Sequence, residues 1–98
     1  MLHACVLSVE VRIPTARSLK EKRTVVRHLV DGCRSRFGVA AAEVGFQDQW
    51  QRAELGFAAV SGEQGHVEAV LDSVERYVWS HPELEVLDAG RAWIESDG

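Results

Sequence analysis

The spacing of apolar residues switches along the chain from every second position to every third or fourth and back, and that order leaves few folds open. From Cys5 to Ile13 the odd positions Cys5, Leu7, Val9, Val11 and Ile13 are apolar, while Ser8, Glu10 and Arg12 alternate with them. A half-buried strand reads this way, and Pro14 closes it. Ser18-Leu19-Lys20-Glu21 is a capping box: the Ser18 hydroxyl accepts from a first-turn N–H, and Glu21 reaches back. Leu19, Val26, Leu29, Val30, Cys33 and Phe37 then share one helical face, and Gly38 is the stop. A second strand runs from Ala40 to Gln47, with Ala40, Ala42, Val44 and Phe46 as its apolar set. The polar run Gln47–Arg52 turns the chain into a third strand, Ala53–Val60. Ser61-Gly62-Glu63-Gln64 repeats the capping-box pattern. It opens a helix with Val67, Val70, Leu71, Val74 and Val78 inward and Glu68, Asp72 and Glu75 outward. Pro82 ends that segment, and Leu84–Ile94 is the last strand.

Strand, helix, strand, strand, helix, strand in 98 residues predicts an α+β, ferredoxin-like βαββαβ sandwich spanning residues 1–98 as a single domain. Right-handed crossovers place both helices on one face of a four-stranded antiparallel sheet, with the first and third strands central. Hydrophobic residues make up 46% and charged ones 27%, which excludes disorder and coiled coil. No apolar run approaches the roughly 18 residues of a membrane span, so no membrane partner is expected. Met1-Leu2-His3 lacks the basic start of a signal peptide, and there are two cysteines. Both facts predict a cytoplasmic protein with reduced, buried thiols.

Charge is unevenly placed. The net charge is −4, yet residues 12–36 alone carry +6 and the remainder −10. The topology brings the first βα connection, the hairpin and the turn at His81-Pro82 to one end of the sheet. Arg17, Ser18, Lys20, Lys22, Arg23, Arg27 and Arg52 are therefore candidates for binding an anion or RNA at that rim, beside the positive end of the helix dipole. Lys20, Arg23, Arg27 and Arg34 also fit a solvated helix face, in which Asp31 pairs with Arg27 at i,i+4. Lys22 lies inside the apolar arc, as a snorkelling lysine would. The hairpin has no glycine where tight turns usually need one. Asp48 and Trp50 are candidate partner contacts, the indole being either an exposed stacking platform or a lid folded over the core.

Ala16–Arg23, Ala42-Glu43-Val44 and Gln47–Gly56, in this order and spacing, resemble the YlxP-like family of small bacterial proteins. The resemblance spans nearly the whole chain, and both the SLKEKR and the QDxWQRAxLG strings are intact. It implies a ferredoxin-like fold and, from the family's frequent encoding beside translation-initiation and ribosome-maturation factors, a role near RNA or the ribosome. It supplies no catalytic residue.

The remaining chemistry is argued against. His3, Cys5, His28, Cys33, His66 and His81 lack metal-ligand spacing, so no metal or cofactor is expected. Acylphosphatase shares this size and fold, but it uses a glycine-rich first βα loop and a catalytic Asn. Residues 14–18 contain no glycine, and the chain contains no Asn. The outward positions of the central strands, Val6, Ser8, Glu10, Gly56, Ala58 and Val60, carry no aromatic ring on which to stack a base. The reading leans away from an enzyme, toward an RNA- or ribosome-associated factor. The alternative is a homo-oligomeric module, a homodimer in the simplest case, joined through the apolar open face of the sheet.

Overall fold

The computed structural model describes residues 1–94. Strand β1 (His3–Arg12) leads into helix α1 (Leu19–Phe37), strands β2 (Ala40–Gly45) and β3 (Arg52–Ser61), helix α2 (Gln64–Trp79) and strand β4 (Glu85–Ile94). The sheet order is β2-β3-β1-β4, antiparallel throughout. The ferredoxin-like α+β expectation holds, with β1 and β3 central.

Local chemistry sets the element boundaries. Ser18 Oγ accepts from the Glu21 N–H at 3.1 Å, and Glu21 Oε2 accepts from the Arg17 N–H at 2.6 Å. The expected capping box is present, with its return bond made to the residue before the cap. Gly38 closes α1 at φ 66°, a left-handed conformation that glycine adopts without strain. The second capping box does not form. Ser61 is still in β3, and its hydroxyl accepts from the Glu63 N–H two residues on. Helix α2 accordingly starts at Gln64, with Glu63 as a cap lacking a side-chain bond. Strand β2 stops at Gly45, short of Gln47, because Phe46 takes φ 58° and turns the chain.

Leu7, Val9 and Val11 of β1 and Leu55 and Phe57 of β3 face the helices, where they meet Val26, Leu29, Leu71, Val74 and Val78. Strand β2 presents Ala41 and Glu43 to the helix side, so its more apolar set, Ala40, Ala42 and Val44, lies on the open face. The carbonyls of Ala41 and Glu43, on one side of this edge strand, accept from the Arg34 guanidinium and the Gln47 amide. Strand β4 is bare by comparison: every residue in it except Val86 is exposed.

Lys22 is the exception to an otherwise apolar interior. Its side chain is 0% exposed, and its Nζ donates to the carbonyls of Phe46 (2.9 Å), Arg52 (3.2 Å) and Gln47 (3.4 Å). All three ammonium hydrogens are thereby aimed at the hairpin backbone. Glu43 Oε2 lies 2.8 Å away and neutralises the charge without a well-aligned hydrogen bond of its own. Lys22 therefore does not snorkel. It folds inward because three carbonyls and a carboxylate replace the water it would lose.

Cys5 and Cys33 are both buried free thiols, as expected. Burial pushes the Cys33 thiol up to about 11, against a smaller opposing pull from Arg36. Because the folded value lies above the ordinary one near 9, the linked stability is fully present below pH ~9 and drains away as pH rises toward ~11. Thiol-reagent labelling of the native protein at pH 8 should be far slower than in denaturant, and fast native labelling would contradict this burial. A Lys22→Met variant leaves Glu43 uncompensated and takes the ammonium donor from three carbonyls, of which Phe46 keeps the Gln49 N–H. It should lose about 3–5 kcal/mol of unfolding free energy in a urea titration, with part recovered in the Lys22→Met/Glu43→Gln double variant. An unchanged urea midpoint would show that Lys22 does not hold the hairpin.

Candidate functional site

The loops at residues 13–18, 46–51 and 80–84 gather at one end of the sheet, where Arg12 of β1 lies level with Arg52 of β3 and Glu85 of β4. Side-chain amides stitch two of them together. Gln51 Nε2 donates to the carbonyls of Pro14 and Ala16, each at 3.2 Å, and the Gln51 carbonyl accepts from the Ile13 N–H at 2.8 Å. The Gln49 N–H returns to the Phe46 carbonyl at 3.0 Å. With Lys22 beneath and Gln51 at the side, the glycine-free hairpin is held on two flanks against the start of α1.

Among the sequence-nominated residues, the structure brings together Arg17, Lys20, Arg23 and Arg27, all exposed along α1 and the residue before its cap. None makes an ion pair among the described residues. Asp31 pairs with Arg34 at 3.5 Å instead of with Arg27, so Arg27 lacks the partner that the alternative of a solvated helix face gave it. The Ser18 hydroxyl oxygen is spent on the helix cap.

Two nominated residues do not join that surface. Lys22 is buried beneath it, which removes it from any contact with a ligand at the rim. Arg52 alternates with the buried Ala53 and so emerges on the open face of the sheet. There its guanidinium pairs with Glu10 and stacks over the Phe46 ring, 4.5 Å from the centroid. It does not reach round to the start of α1, because strand alternation turns it to the other side.

Trp50 is 53% exposed and lies outside the core cluster, so the indole is no core lid. With Leu19, Asp48, Gln49 and Gln51 it lines a groove of about 450 Å³ between the hairpin and the first residue of α1. The Asp48 side chain makes no hydrogen bond or ion pair among the described residues. Its lack of a bond to its own backbone is unusual for an Asp in a turn.

Leu19, Glu43, Phe46 and Gln51 escaped the sequence reading as parts of this site. The signal that could have found them is the pairing of a lysine inside the apolar arc of α1 with an acid on β2. A buried cation needs a counter-charge, and Glu43 is the acid best placed to be one.

A second concavity, about 400 Å³, lies on the open face, with Val6, Ser8, Ala42, Val44, Gly56 and Ala58 in its wall. Toward the rim this face carries Glu54, Glu10 and Asp88 in register across β3, β1 and β4, with Glu10 paired to Arg52. Among the described residues, no group of three or more His, Cys, Asp or Glu side chains could hold a metal ion. No described helix is long and apolar enough to cross a membrane.

Comparison with known proteins agrees with the resemblance seen in the two strings. The chain is 41% identical over 85 residues to the "Uncharacterized protein YlxP" of Bacillus subtilis (strain 168), an overlap of 87% of this chain and 92% of that protein. Residues 4–91, nearly the full described fold, match a family described as "Protein of unknown function (DUF503)", and the chain belongs to that family.

Proposed function

We propose that the protein is a cytoplasmic, non-enzymatic factor that binds RNA, free or displayed on a ribosomal surface, through the rim formed by α1 and the hairpin. The observation that carries this reading is the row of cations without acidic partners. Arg17, Lys20, Arg23 and Arg27 are exposed and unneutralised among the described residues, in a chain whose net charge is −4. Lys20 and Arg27 are separated by about 10 Å along the helix axis at 1.5 Å per residue, a length that can follow several phosphates of one strand. The half-exposed Trp50 beside them offers a face to an unstacked base. The genomic company that the family resemblance implies points the same way.

A second reading, a homo-oligomer joined through the open sheet face, is favoured by the shallow apolar concavity around Val6, Ala42, Gly56 and Ala58. Glu54 and Asp88, which have no cationic partner among the described residues and flank the Arg52-paired Glu10, disfavour such a contact near the rim, since like charges from two copies would repel there. Sedimentation at high concentration tests it: a monomer with RNA affinity removes this reading, and a dimer without RNA affinity replaces the first.

Binding to single-stranded RNA should fall with salt at a slope of about −0.7 per phosphate contacted, or about −2 to −3 for three or four cations. Arg23→Glu should flatten that slope and weaken binding while changing stability by no more than about 0.5 kcal/mol. A salt-independent affinity, or none at low salt, would sink the proposal. Trp50→Ala should weaken binding too, at a stability cost below about 1 kcal/mol, because the ring is not in the core. A loss near 3 kcal/mol, typical of emptying a core site, would mean the indole packs inward in solution.

A further inference from the structure

We infer that the groove between Trp50 and Leu19 is a pocket for one unpaired guanine base of a single-stranded RNA, with Asp48 as the group that selects it. This deepens the RNA-binding reading and rests on it.

The groove holds about 450 Å³, within the range of sites that take small ligands. Its two apolar components are the half-exposed Trp50 ring and Leu19 from the start of α1. Together they offer a flat aromatic face and an aliphatic wall, the surroundings in which single-stranded bases are stacked. Stacking alone is indifferent to base identity. The polar groups in the groove are not indifferent.

Asp48 is an acid beside a surface whose other charges favour a polyanion. An ionised carboxylate there costs binding energy against any phosphate, unless it meets donors. It has no structural partner among the described residues, so the turn does not account for it. Ionised, it can only accept hydrogen bonds, and both oxygens are available. Guanine alone among the four bases presents two neighbouring N–H groups on its pairing edge, at N1 and the exocyclic N2. Adenine and cytosine pair one donor with an acceptor there, and uracil sets its single donor between two acceptors, so each places a lone pair against the carboxylate. Gln49, in the same groove and likewise without a side-chain bond among the described residues, has an amide N–H to offer the guanine O6. Gln51 cannot serve, because its amide is already committed to the carbonyls of Pro14 and Ala16. The phosphates on either side of the base would fall to Arg17, Lys20 and Arg23.

The test is a fluorescence-anisotropy titration of the intact protein with oligouridine heptamers. The central position carries guanosine, inosine, adenosine or uridine. The guanosine oligomer should bind about tenfold more tightly than the adenosine and uridine ones, a ratio typical of one bidentate base contact. Inosine, which keeps N1–H and lacks the N2 amine, should fall between. Asp48→Asn should level the four affinities without abolishing binding, since its amide no longer offers two acceptors. Arg23→Glu should weaken all four alike and keep their ratios. Trp50→Ala should weaken all four, and Trp50→Phe should restore most of the loss. If the four oligomers bind equally to the parent protein, the guanine pocket is refuted and RNA binding by the rim survives. If none binds at low salt, both fail. If Asp48→Asn retains the guanine preference, the selecting group is not Asp48 and this assignment is wrong.

Discussion

A single buried ammonium group decides the shape of one end of this molecule. Lys22 sits one turn into α1 with its side chain wholly enclosed, its three hydrogens on the carbonyls of Phe46, Gln47 and Arg52 and its charge beside Glu43. Burying a lone lysine is so unfavourable that it would deprotonate or unfold its surroundings before remaining charged in an apolar core. The hairpin supplies what water would have supplied, and in return its carbonyls are fixed in direction. That exchange accounts for the absence of glycine in the turn. Phe46 tolerates a left-handed backbone because its carbonyl is anchored from below and its ring is covered by the Arg52 guanidinium from the open side.

Much of the fold could be read from residue patterns, because the helices and strands keep their own periods and the ends of α1 sit where capping chemistry puts them. Cys5 through Ile13 alternates without interruption. Helix α1 begins at the residue after Ser18 and ends at the residue before Gly38, as its capping chemistry demands. Reading fails where a residue's role depends on another element. The inward set of β2 includes Glu43, a choice local alternation disfavours and the distant Lys22 imposes. The Ser61 hydroxyl bonds locally because its residue is still paired in β3, a tertiary fact that four letters of sequence do not hold.

The site was legible in the same uneven way. Its cations could be named from composition and topology, since exposed charges on one helix face need no partner to be placed. Two were misplaced for reasons of side. Lys22, inside the apolar arc of α1, keeps its ammonium buried instead of snorkelling to the surface, and Arg52 obeys strand alternation, which carries it to the opposite face from α1. Trp50 could not be assigned from sequence because its neighbours suit a lid and a platform equally. The structure decides by leaving the core full without it. Among the described residues of α1 and the hairpin, what remains after every structurally committed group is set aside is Arg17, Lys20, Arg23 and Arg27, the Trp50 indole, the Asp48 carboxylate and the Gln49 amide.

Both margins of the sheet bear on assembly. On β2 the carbonyls of Ala41 and Glu43 are already occupied by Arg34 and Gln47, so an incoming strand finds its acceptors taken. On β4 nearly every residue stands exposed, but the Ala89 N–H already donates to Asp88 Oδ1 at 3.0 Å and the register with β1 shifts beside it. Growth of a sheet by repeated head-to-tail addition needs two receptive edges, one on each side of every copy. Among the described residues each margin has part of its row already taken, acceptors on β2 and a donor on β4, so a strand added to either side meets backbone groups that are no longer free.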